Sequence, residues 1–408
     1  MAQLTSTEMD NLLKEVYLPR MRNWMKAKFP FQQVLKRMRR PLVGKEFRVP
    51  AQRGHTQGIG AGSETATLPT AGYALYSRPA WTPKIHYGRV QVTGFAMALG
   101  EDKKSSYLKA WTSEVRSLTE QFAIDLNREA LGDGRGILAY MTAAANTLTP
   151  AVSGYQGTAR GHMARERMLV DLIDATDDTT VLVSGITITG YTEDTLTLDT
   201  ATGAGTAVGD YFVRSGTLGY AFSGLHAIID DGNTPLANYG GIDRTASAGL
   251  LFQGQVTDAH SFCDLVRFDE AYDKPGEQAD AQVKMILTRP RIKREITRLL
   301  VYPQMRYTNP NASSLQIKGW NGVQYGDATM MSDDCVWKDT ALFFDPAEFE
   351  FAEVEPMGWM DKDGSVVNRV ANKWSYEATM VYAGELLCPS PNRGGKLRNA
   401  GTPHATVA

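Results

Sequence analysis

A long excursion between residues 46 and 98 is the feature of this sequence that most restricts its fold. Strand-forming residues occur at 47–49 and return at 73–76 and at 84–97. Between them lies a stretch of glycine, serine, threonine and proline that is typical of loops. The pattern predicts a two-stranded ribbon with a flexible, glycine-rich tip. Because an isolated ribbon is only marginally stable in water, we expect neighbouring structure to bury it.

The glycines at the predicted tip, Gly58, Gly60 and Gly62, resemble a phosphate-binding loop only superficially. Such loops have a Gly-x-Gly-x-x-Gly order or a Gly-Lys-Ser/Thr ending, and they open a helix. The tip has neither the glycine order nor the Gly-Lys-Ser/Thr ending, and no helix is predicted to follow it. The glycines therefore indicate conformational freedom rather than phosphate binding.

The first fifty residues form a basic arm. They contain eleven lysines and arginines against four acidic residues, a net charge of +7. Thr5 and Glu8 have the spacing of a capping box, and the apolar stripe that follows predicts a helix over 5–28. This helix either docks on the body of the protein or on another subunit, or is an amphipathic surface helix of its own domain.

A later segment, residues 327–363, is acidic. It contains eleven aspartates and glutamates against two lysines, a net charge of −9, while the whole chain carries only −2. A protein that coats nucleic acid with a generally basic surface is thereby excluded. We expect the basic arm to lie against this acidic segment, in the same subunit or in a neighbouring one.

The clearest helix signal covers residues 105–131. Val115, Leu118 and Phe122 belong to one apolar stripe with helical spacing, and Gly132 ends the helix. Such a helix would be about 40 Å long at 1.5 Å per residue. One apolar stripe on a long helix is typical of a strut laid across a sheet.

Residues 145–216 form a threonine-rich block. Alternation with period two at 186–189 and 195–198 predicts strands, and several short strands of this kind predict a small β-barrel or sandwich. Three aspartates in the block could bind a cation, but their spacing fits no calcium loop and favours a solvated turn. These aspartates are Asp174, Asp177 and Asp178.

The rest of the chain is of mixed α/β character. A helix is predicted after Thr257, a strand over 283–287 and a second helix from Pro290. Two further strands are predicted at 342–344 and 349–351.

No motif in the sequence indicates an enzyme. The six histidines lack metalloprotease spacing, and three distant cysteines (Cys263, Cys335 and Cys388) exclude a disulfide framework and a Cys-x-x-Cys site. There is no nucleophile elbow, P-loop or dinucleotide fingerprint. No apolar run reaches the ~20 residues of a membrane helix, and the N-terminus lacks a secretory signal layout. We expect no catalytic residues, no metal and no cofactor.

The order of these parts resembles the major capsid protein of tailed bacteriophages, which has the Hong Kong 97-type fold also found in encapsulin shells. That order is a basic arm, a ribbon, a strut helix, a mixed body with a β insert, and acidic late strands. Three local sequences add to the resemblance: LGDGRG at 131–136, VGDY at 208–211, and GL at 224–225 with DDG at 230–232.

The resemblance implies an α+β capsid fold of the Hong Kong 97 type with a small all-β insertion domain. Its implied parts are the N-terminal arm (1–45), the extended E-loop (46–98), the spine helix of the peripheral domain (99–144), the inserted β-barrel-like domain (145–216), the axial domain (217–325), the peripheral-domain sheet (326–375) and the C-terminal axial segment and tail (376–408).

The function that the resemblance implies is self-assembly, as pentamers and hexamers, into an icosahedral shell around double-stranded DNA. The shell would be a virion capsid assembled in the cytoplasm of a bacterial host, without a membrane. Implied partners are further copies of the chain, a scaffolding protein, a portal, a cement or decoration protein, and packaged DNA bound without sequence specificity. The alternatives are an encapsulin-like cargo compartment and an enzyme with a β-rich accessory domain.

Two features depart from the pattern of some family members. Members that cross-link their subunits use a loop lysine, whereas no lysine occurs here between Lys45 and Lys84. We therefore expect no covalent mesh. Other members have a long scaffold-like segment before the arm, so we expect either processing or a separate scaffolding protein.

Fourteen residues are expected at contacts between subunits, with the basic arm also open to direct binding of DNA or scaffold. They are Arg20, Arg22, Lys36, Arg37, Arg39, Arg40, Gly58, Gly60, Gly62, Glu64, Glu348, Glu350, Glu353 and Glu355.

Overall fold

The computed structural model describes most of the chain in two compact units. The described residues are 31–95, 107–155, 162–203, 205–232, 236–260, 264–305, 323–361 and 366–400, apart from positions 32, 33, 41, 43, 55, 57 and 66. The helix predicted over 5–28, with Arg20 and Arg22, lies outside these residues. The first unit comprises 1–41, 83–127 and 351–385, and the second comprises 42–82, 128–350 and 386–408.

The α-helices whose bounds the structure describes are α1 (Tyr107–Ala130), α2 (Leu225–Ile228), α3 (Leu265–Ala279) and α4 (Pro290–Met305). Three short 3₁₀ helices cover Ser247–Phe252, Pro346–Glu348 and Pro391–Arg393. The predicted strut helix and the helix predicted from Pro290 are confirmed as α1 and α4. Within the described part of the chain, none of the helices has the length and apolar character of a membrane span.

The first unit contains a five-stranded sheet on which α1 packs. With strands numbered β1 to β23 along the chain, its members are β1 (Lys36–Arg39), β6 (Lys84–Thr93), β20 (Glu350–Trp359), β21 (Asn368–Arg369) and β22 (Ser375–Leu387). Strand β22 pairs antiparallel with β6 and also pairs with β20, which in turn pairs with β1. A Cβ at Gly88 would lie 3.2 Å from side-chain atoms of Leu118 and Phe122, so the helix approaches the sheet closely there.

The second unit begins with the ribbon predicted from the sequence. Its strands are β2 (Phe47–Arg48), β3 (Ala51–Gln52), β4 (Tyr76–Ser77) and β5 (Ala80–Trp81). Strand β2 pairs antiparallel with β5, and β3 pairs antiparallel with β4. The ribbon is therefore confirmed over 47–81, although its regular pairing is short and most of its tip is irregular. The strand predicted at 84–97 does not belong to it, because β6 pairs with β22 in the sheet of the first unit.

Six strands between residues 139 and 214 close into a barrel. They are β7 (Ala139–Met141), β8 (Val152–Ser153), β9 (Leu169–Ile173), β10 (Val181–Tyr191), β11 (Leu196–Leu198) and β12 (Tyr211–Arg214), in the order β11-β10-β9-β12-β7-β8. The two end strands meet through an antiparallel bridge between Ala151 and Thr195. Backbone hydrogen bonds from Leu198 to Leu148 (2.8 Å) and from Val152 to Asp194 (2.7 Å) complete the closure.

A six-stranded mixed sheet forms the rest of the second unit, beside a two-stranded sheet of β13 (Asn238–Tyr239) and β14 (Ile242–Asp243). Its strands are β15 (Gln255–Asp258), β16 (Met285–Thr288), β17 (Val323–Tyr325), β18 (Ala328–Ser332), β19 (Ala341–Phe344) and β23 (Gly395–Arg398), in the order β15-β23-β19-β16-β18-β17. One apolar cluster joins the sheet to both long helices of the unit, through Phe268 of α3, Ile296 of α4 and Phe343 of β19.

Two sequence-based boundaries differ from the structure. The helix predicted directly after Thr257 begins only at Leu265, because Thr257 lies in strand β15, which ends at Asp258 and is followed by a turn at His260. Residues 326–375 do not belong to one sheet: β18 and β19 lie in the mixed sheet, whereas β20 and β21 lie in the sheet of the first unit. The strongly apolar β19 has all four residues buried, so it requires a central position that the mixed sheet provides.

Candidate functional site

The basic arm meets the acidic segment within the first unit. Strand β1 of the arm pairs with β20 at the edge of the sheet. Arg37 Nη1 donates a hydrogen bond of 3.2 Å to Glu353 Oε1. Arg39 Nη2 lies 4.0 Å from Glu355 Oε2. The structure thus brings two of the predicted arginines and two of the predicted glutamates together in one chain.

Apolar packing supports the same contact. Phe31 is completely buried and meets the Phe351 ring edge-to-face, with 6.4 Å between the ring centroids. The Arg37 guanidinium lies 5.6 Å from the centroid of the Phe351 ring. A cation above an aromatic face adds attraction to the ion pair. Phe31 was not singled out from the sequence, because one phenylalanine near a basic cluster forms no periodic pattern.

The electrostatic environment of Glu353 indicates that the contact with the arm stabilises the sheet. Its side chain is largely buried, and this burial raises the pKa of the carboxyl group above its ordinary value. The positive charge of Arg37 and a hydrogen bond from Tyr382 act in the opposite direction and favour the carboxylate. Burying a carboxylate without a cation beside it destabilises the folded state. Arg37 of the arm supplies this cation for Glu353 of the sheet.

The other candidate residues of the arm and the acidic segment are more scattered. Lys36 is exposed on β1, and Arg40 follows the end of that strand. Glu350 opens β20. Glu348 belongs to the second unit, where it accepts a hydrogen bond of 2.5 Å from Arg393 instead of meeting the arm.

The tip of the ribbon is exposed and partly apolar. Gly58, Gly60, Gly62 and Glu64 are all exposed. The large apolar side chains near them are exposed as well, with fractions of 85% for Ile59, 91% for Leu68 and 80% for Tyr73. Apolar groups clustered on a projecting tip are typical of a surface that another molecule covers.

The base of the ribbon is fixed in the second unit. Trp81 is 4% exposed, and its ring centroid lies 5.5 Å from that of Tyr239. The N–H of Ala80 donates a hydrogen bond of 2.9 Å to the carbonyl of Gly240. An anchored base with an exposed tip presents the apolar side chains at a defined place while leaving them free to bind.

Four stacked rings, a feature that the sequence did not reveal, join the barrel to the mixed sheet. Centroid distances are 4.5 Å between Tyr140 and Tyr155, 4.5 Å between Tyr155 and Trp337, and 4.6 Å between Trp337 and His226. His226 Nε2 accepts a hydrogen bond of 3.1 Å from the backbone N–H of Trp337, which places the ring proton of the neutral imidazole on Nδ1. Burial, followed by the charges of Lys396 and Arg289, lowers the pKa of His226 well below its ordinary value.

This histidine is expected to make folding stability depend on pH. In the unfolded chain His226 takes up a proton near pH 6.5, whereas in the folded protein its pKa is lower. Stability should therefore decrease as pH falls below about 6.5, by at most about 1.4 kcal/mol per pH unit for this group. Urea unfolding at pH 7.5 and 5.5 should show a smaller pH effect in His226→Gln than in the parent protein.

His162 is expected to add to the slope, because burial lowers its pKa as well. Equal slopes for His226→Gln and the parent would contradict the prediction.

The metal-binding and redox candidates singled out from the sequence can now be placed. No group of three or more histidine, cysteine, aspartate or glutamate residues among them could hold a metal ion. The aspartates of the barrel form a turn, in which Asp174 and Asp177 accept hydrogen bonds from neighbouring threonines and Asp178 pairs with Arg135 at 3.2 Å. Cys335 and Cys388 are free and buried, and Cys263 lies outside the described residues.

Comparison with solved structures identifies the fold. The chain is similar to a chain of the Cyanophage A-1(L) capsid asymmetric unit, with a TM-score of 0.58, 10% identity, and 97% of this chain and 98% of that chain covered. It also matches a capsid chain of a native GTA particle (TM-score 0.49, 8% identity, 96% and 94% covered) and a chain of Mycobacterium phage Adephagia (TM-score 0.46, 8% identity, 100% of both covered).

No protein-family model matches the sequence, and no curated protein is similar to it at the sequence level. The likeness to the cyanophage chain therefore rests on structure alone. It shows that this chain has the fold of a phage capsid protein over nearly its whole length.

Proposed function

We propose that this chain, which has the fold of a phage capsid protein, is the coat subunit of a capsid shell. The observation that carries the proposal is the likeness to the cyanophage capsid chain, which covers 97% of this chain and 98% of that one. A match over both full lengths accounts for the arm, ribbon, strut helix and body together. The function is then structural rather than enzymatic.

In this proposal the subunits assemble as pentamers and hexamers into an icosahedral shell that encloses double-stranded DNA. The exposed apolar tip of the ribbon supports contact with further copies, because it leaves large side chains such as Leu68 in solvent in the single chain. Many weak contacts of this kind suffice, since each subunit of a shell makes several at once.

The structural parts then take the roles that the resemblance implies. The ribbon is the E-loop, α1 is the spine helix, and the closed barrel is an inserted domain. Glu353 and Arg37 hold the arm in place. A scaffolding protein, a portal and a cement protein are the further partners, and assembly takes place in the cytoplasm of a bacterial host before the shell becomes part of a virion.

Electron microscopy of the purified protein tests the proposal. We expect closed shells, or pentameric and hexameric capsomers, after expression alone or together with a scaffolding protein. Particles isolated from infected cells should contain nuclease-protected double-stranded DNA. Compact monomers under all conditions would overturn the capsid function, and shells that contain a co-purifying enzyme instead of DNA would favour a cargo compartment.

Assembled shells are expected to contain no covalent links between subunits. The ribbon between Lys45 and Lys84 has no lysine, so its tip has no amine that could form an isopeptide bond. On a denaturing gel of purified shells, the coat subunit should run as a monomer, without bands at multiples of its mass. A ladder of multiples of that mass would contradict the prediction.

A further inference from the structure

Two helices on the mixed sheet have opposite charges. Residues 264–280, which contain α3, include six acidic residues against two basic ones. Residues 289–298, which begin α4, include five basic residues against one acidic one. The two segments are separated by only one strand, β16, so the change of sign is abrupt.

The charges form stripes that point away from the sheet. On α3, Glu270, Asp273 and Glu277 are exposed and recur at helical spacing, opposite the buried Phe268 and Ala271. They form what is called here the acidic stripe.

Helix α4 has the same design with the opposite sign. Arg291, Arg294 and Arg298 are exposed, whereas Ile292 and Ile296 are buried in the core. These three arginines form what is called here the basic stripe.

Local ion pairs do not neutralise the stripes. Arg267 pairs with Glu270 at 2.7 Å, Glu295 pairs with Arg298 at 3.3 Å, and Asp339 lies 3.7 Å from Arg291. The charges left in excess are those of Asp273 and Glu277 on the acidic stripe and of Arg294 on the basic stripe. Within the described residues, no ion pair of the chain joins one stripe to the other. Each stripe is therefore open to a partner of opposite charge.

The two stripes occupy different parts of the sheet. Helix α3 packs on β15 and β23 at one end of the strand order, and α4 packs on β18 towards the other end. A subunit with unlike patches at two places suits a head-to-tail contact, which closes into a ring when the rotation is right. Contact between two stripes of the same sign would be repulsive.

We propose that the acidic stripe of one copy docks on the basic stripe of the next copy around a ring of this chain. The occupant of each stripe is thus a second copy, selected by charge complementarity. The proposal rests on the capsid function, because it names the contact within a pentamer or hexamer. Since both stripes are exposed, the contact should weaken as salt screens it over ~8–10 Å.

A charge-swap experiment tests the pairing. Variant one carries Asp273→Arg and Glu277→Arg, variant two carries Arg294→Glu and Arg298→Glu, and a third variant combines all four changes. Sedimentation and electron microscopy measure the fraction of subunits in capsomers and shells. We expect each reversal to lower this fraction at least tenfold and the combined variant to restore it.

The controls separate folding from assembly. All four positions are exposed, so circular dichroism and thermal unfolding of the subunits should be unchanged. Glu166→Arg with Glu193→Arg reverses two exposed charges elsewhere and should assemble normally.

The outcomes distinguish this proposal from the capsid function itself. If the parent protein forms no shells or capsomers, the capsid function fails. If the parent assembles and either reversal also assembles normally, or if the combined variant does not recover, the stripe pairing is wrong. If variant two, Arg294→Glu with Arg298→Glu, forms normal shells that contain no DNA, the basic stripe binds nucleic acid. That result would overturn the pairing as well.

Discussion

Replacing Arg37 with glutamate is expected to release the arm from the sheet and to prevent shell assembly. The change places a second carboxylate beside Glu353, whose carboxyl group is largely buried and depends on Arg37 for its cation. It also removes the guanidinium from the face of Phe351. The cost to the folded state should be on the order of 2 kcal/mol, between the values for exposed and fully buried pairs.

Arg39 provides the matched control on the same strand. Its side chain is 74% exposed and lies 4.0 Å from Glu355, so Arg39→Glu should cost less than about 1 kcal/mol. Urea unfolding measures the stability of both variants, and limited proteolysis followed by mass spectrometry reports cleavage at the arm. Arg37→Glu combined with Glu353→Arg should recover both assembly and protection. Normal shells from Arg37→Glu alone would show that the ion pair does not hold the arm.

Making the ribbon tip polar is expected to abolish assembly while leaving the subunit folded. Ile59→Asp combined with Leu68→Asp replaces two side chains that are 85% and 91% exposed, so neither change removes a buried contact in the single chain. In a shell the same positions should be covered by a neighbour, where two buried carboxylates would be strongly unfavourable. Analytical ultracentrifugation should show free subunits or capsomers in place of shells.

Two controls define the meaning of that result. Leu251→Asp changes another apolar side chain, 64% exposed and in the 3₁₀ helix Ser247–Phe252 instead of the ribbon, and should leave assembly intact. Trp81→Ala should instead unfold the anchor of the ribbon and lower stability by about 3–5 kcal/mol. Shells of normal yield from the double tip variant would mean that the tip takes no part in contacts between subunits.

Features with local periodicity could be predicted from the sequence. An apolar stripe and a terminal glycine predict helix α1. Alternation of apolar and polar residues on either side of a turn predicts strands β10 and β11. The ribbon followed from the contrast between strand-forming residues and a glycine-rich interval. In each case the signal lies in one continuous segment of the chain, so it does not depend on which distant segments pack against it.

Features that depend on distant segments could not be predicted in this way. Strand β23 lies between β15 and β19 in the mixed sheet, and no periodicity reports such a neighbour. The same holds for the stack of His226 on Trp337, which joins residues 111 positions apart. For Arg37 and Glu353, the sequence predicted only that a basic segment would attract an acidic one. Net charge does not say which residue of one segment pairs with which residue of the other.

Closure of the barrel affects how copies of the chain behave when they are packed closely together. An open sheet edge presents unpaired N–H and C=O groups that can template pairing with another chain. Copies packed side by side on a shell would hold such edges at a very high local concentration, which favours sticking between particles. The bridge between Ala151 and Thr195 seals the seam of the barrel. In the proposed shell, a barrel closed in this way would let every copy carry an all-β module without promoting association between particles.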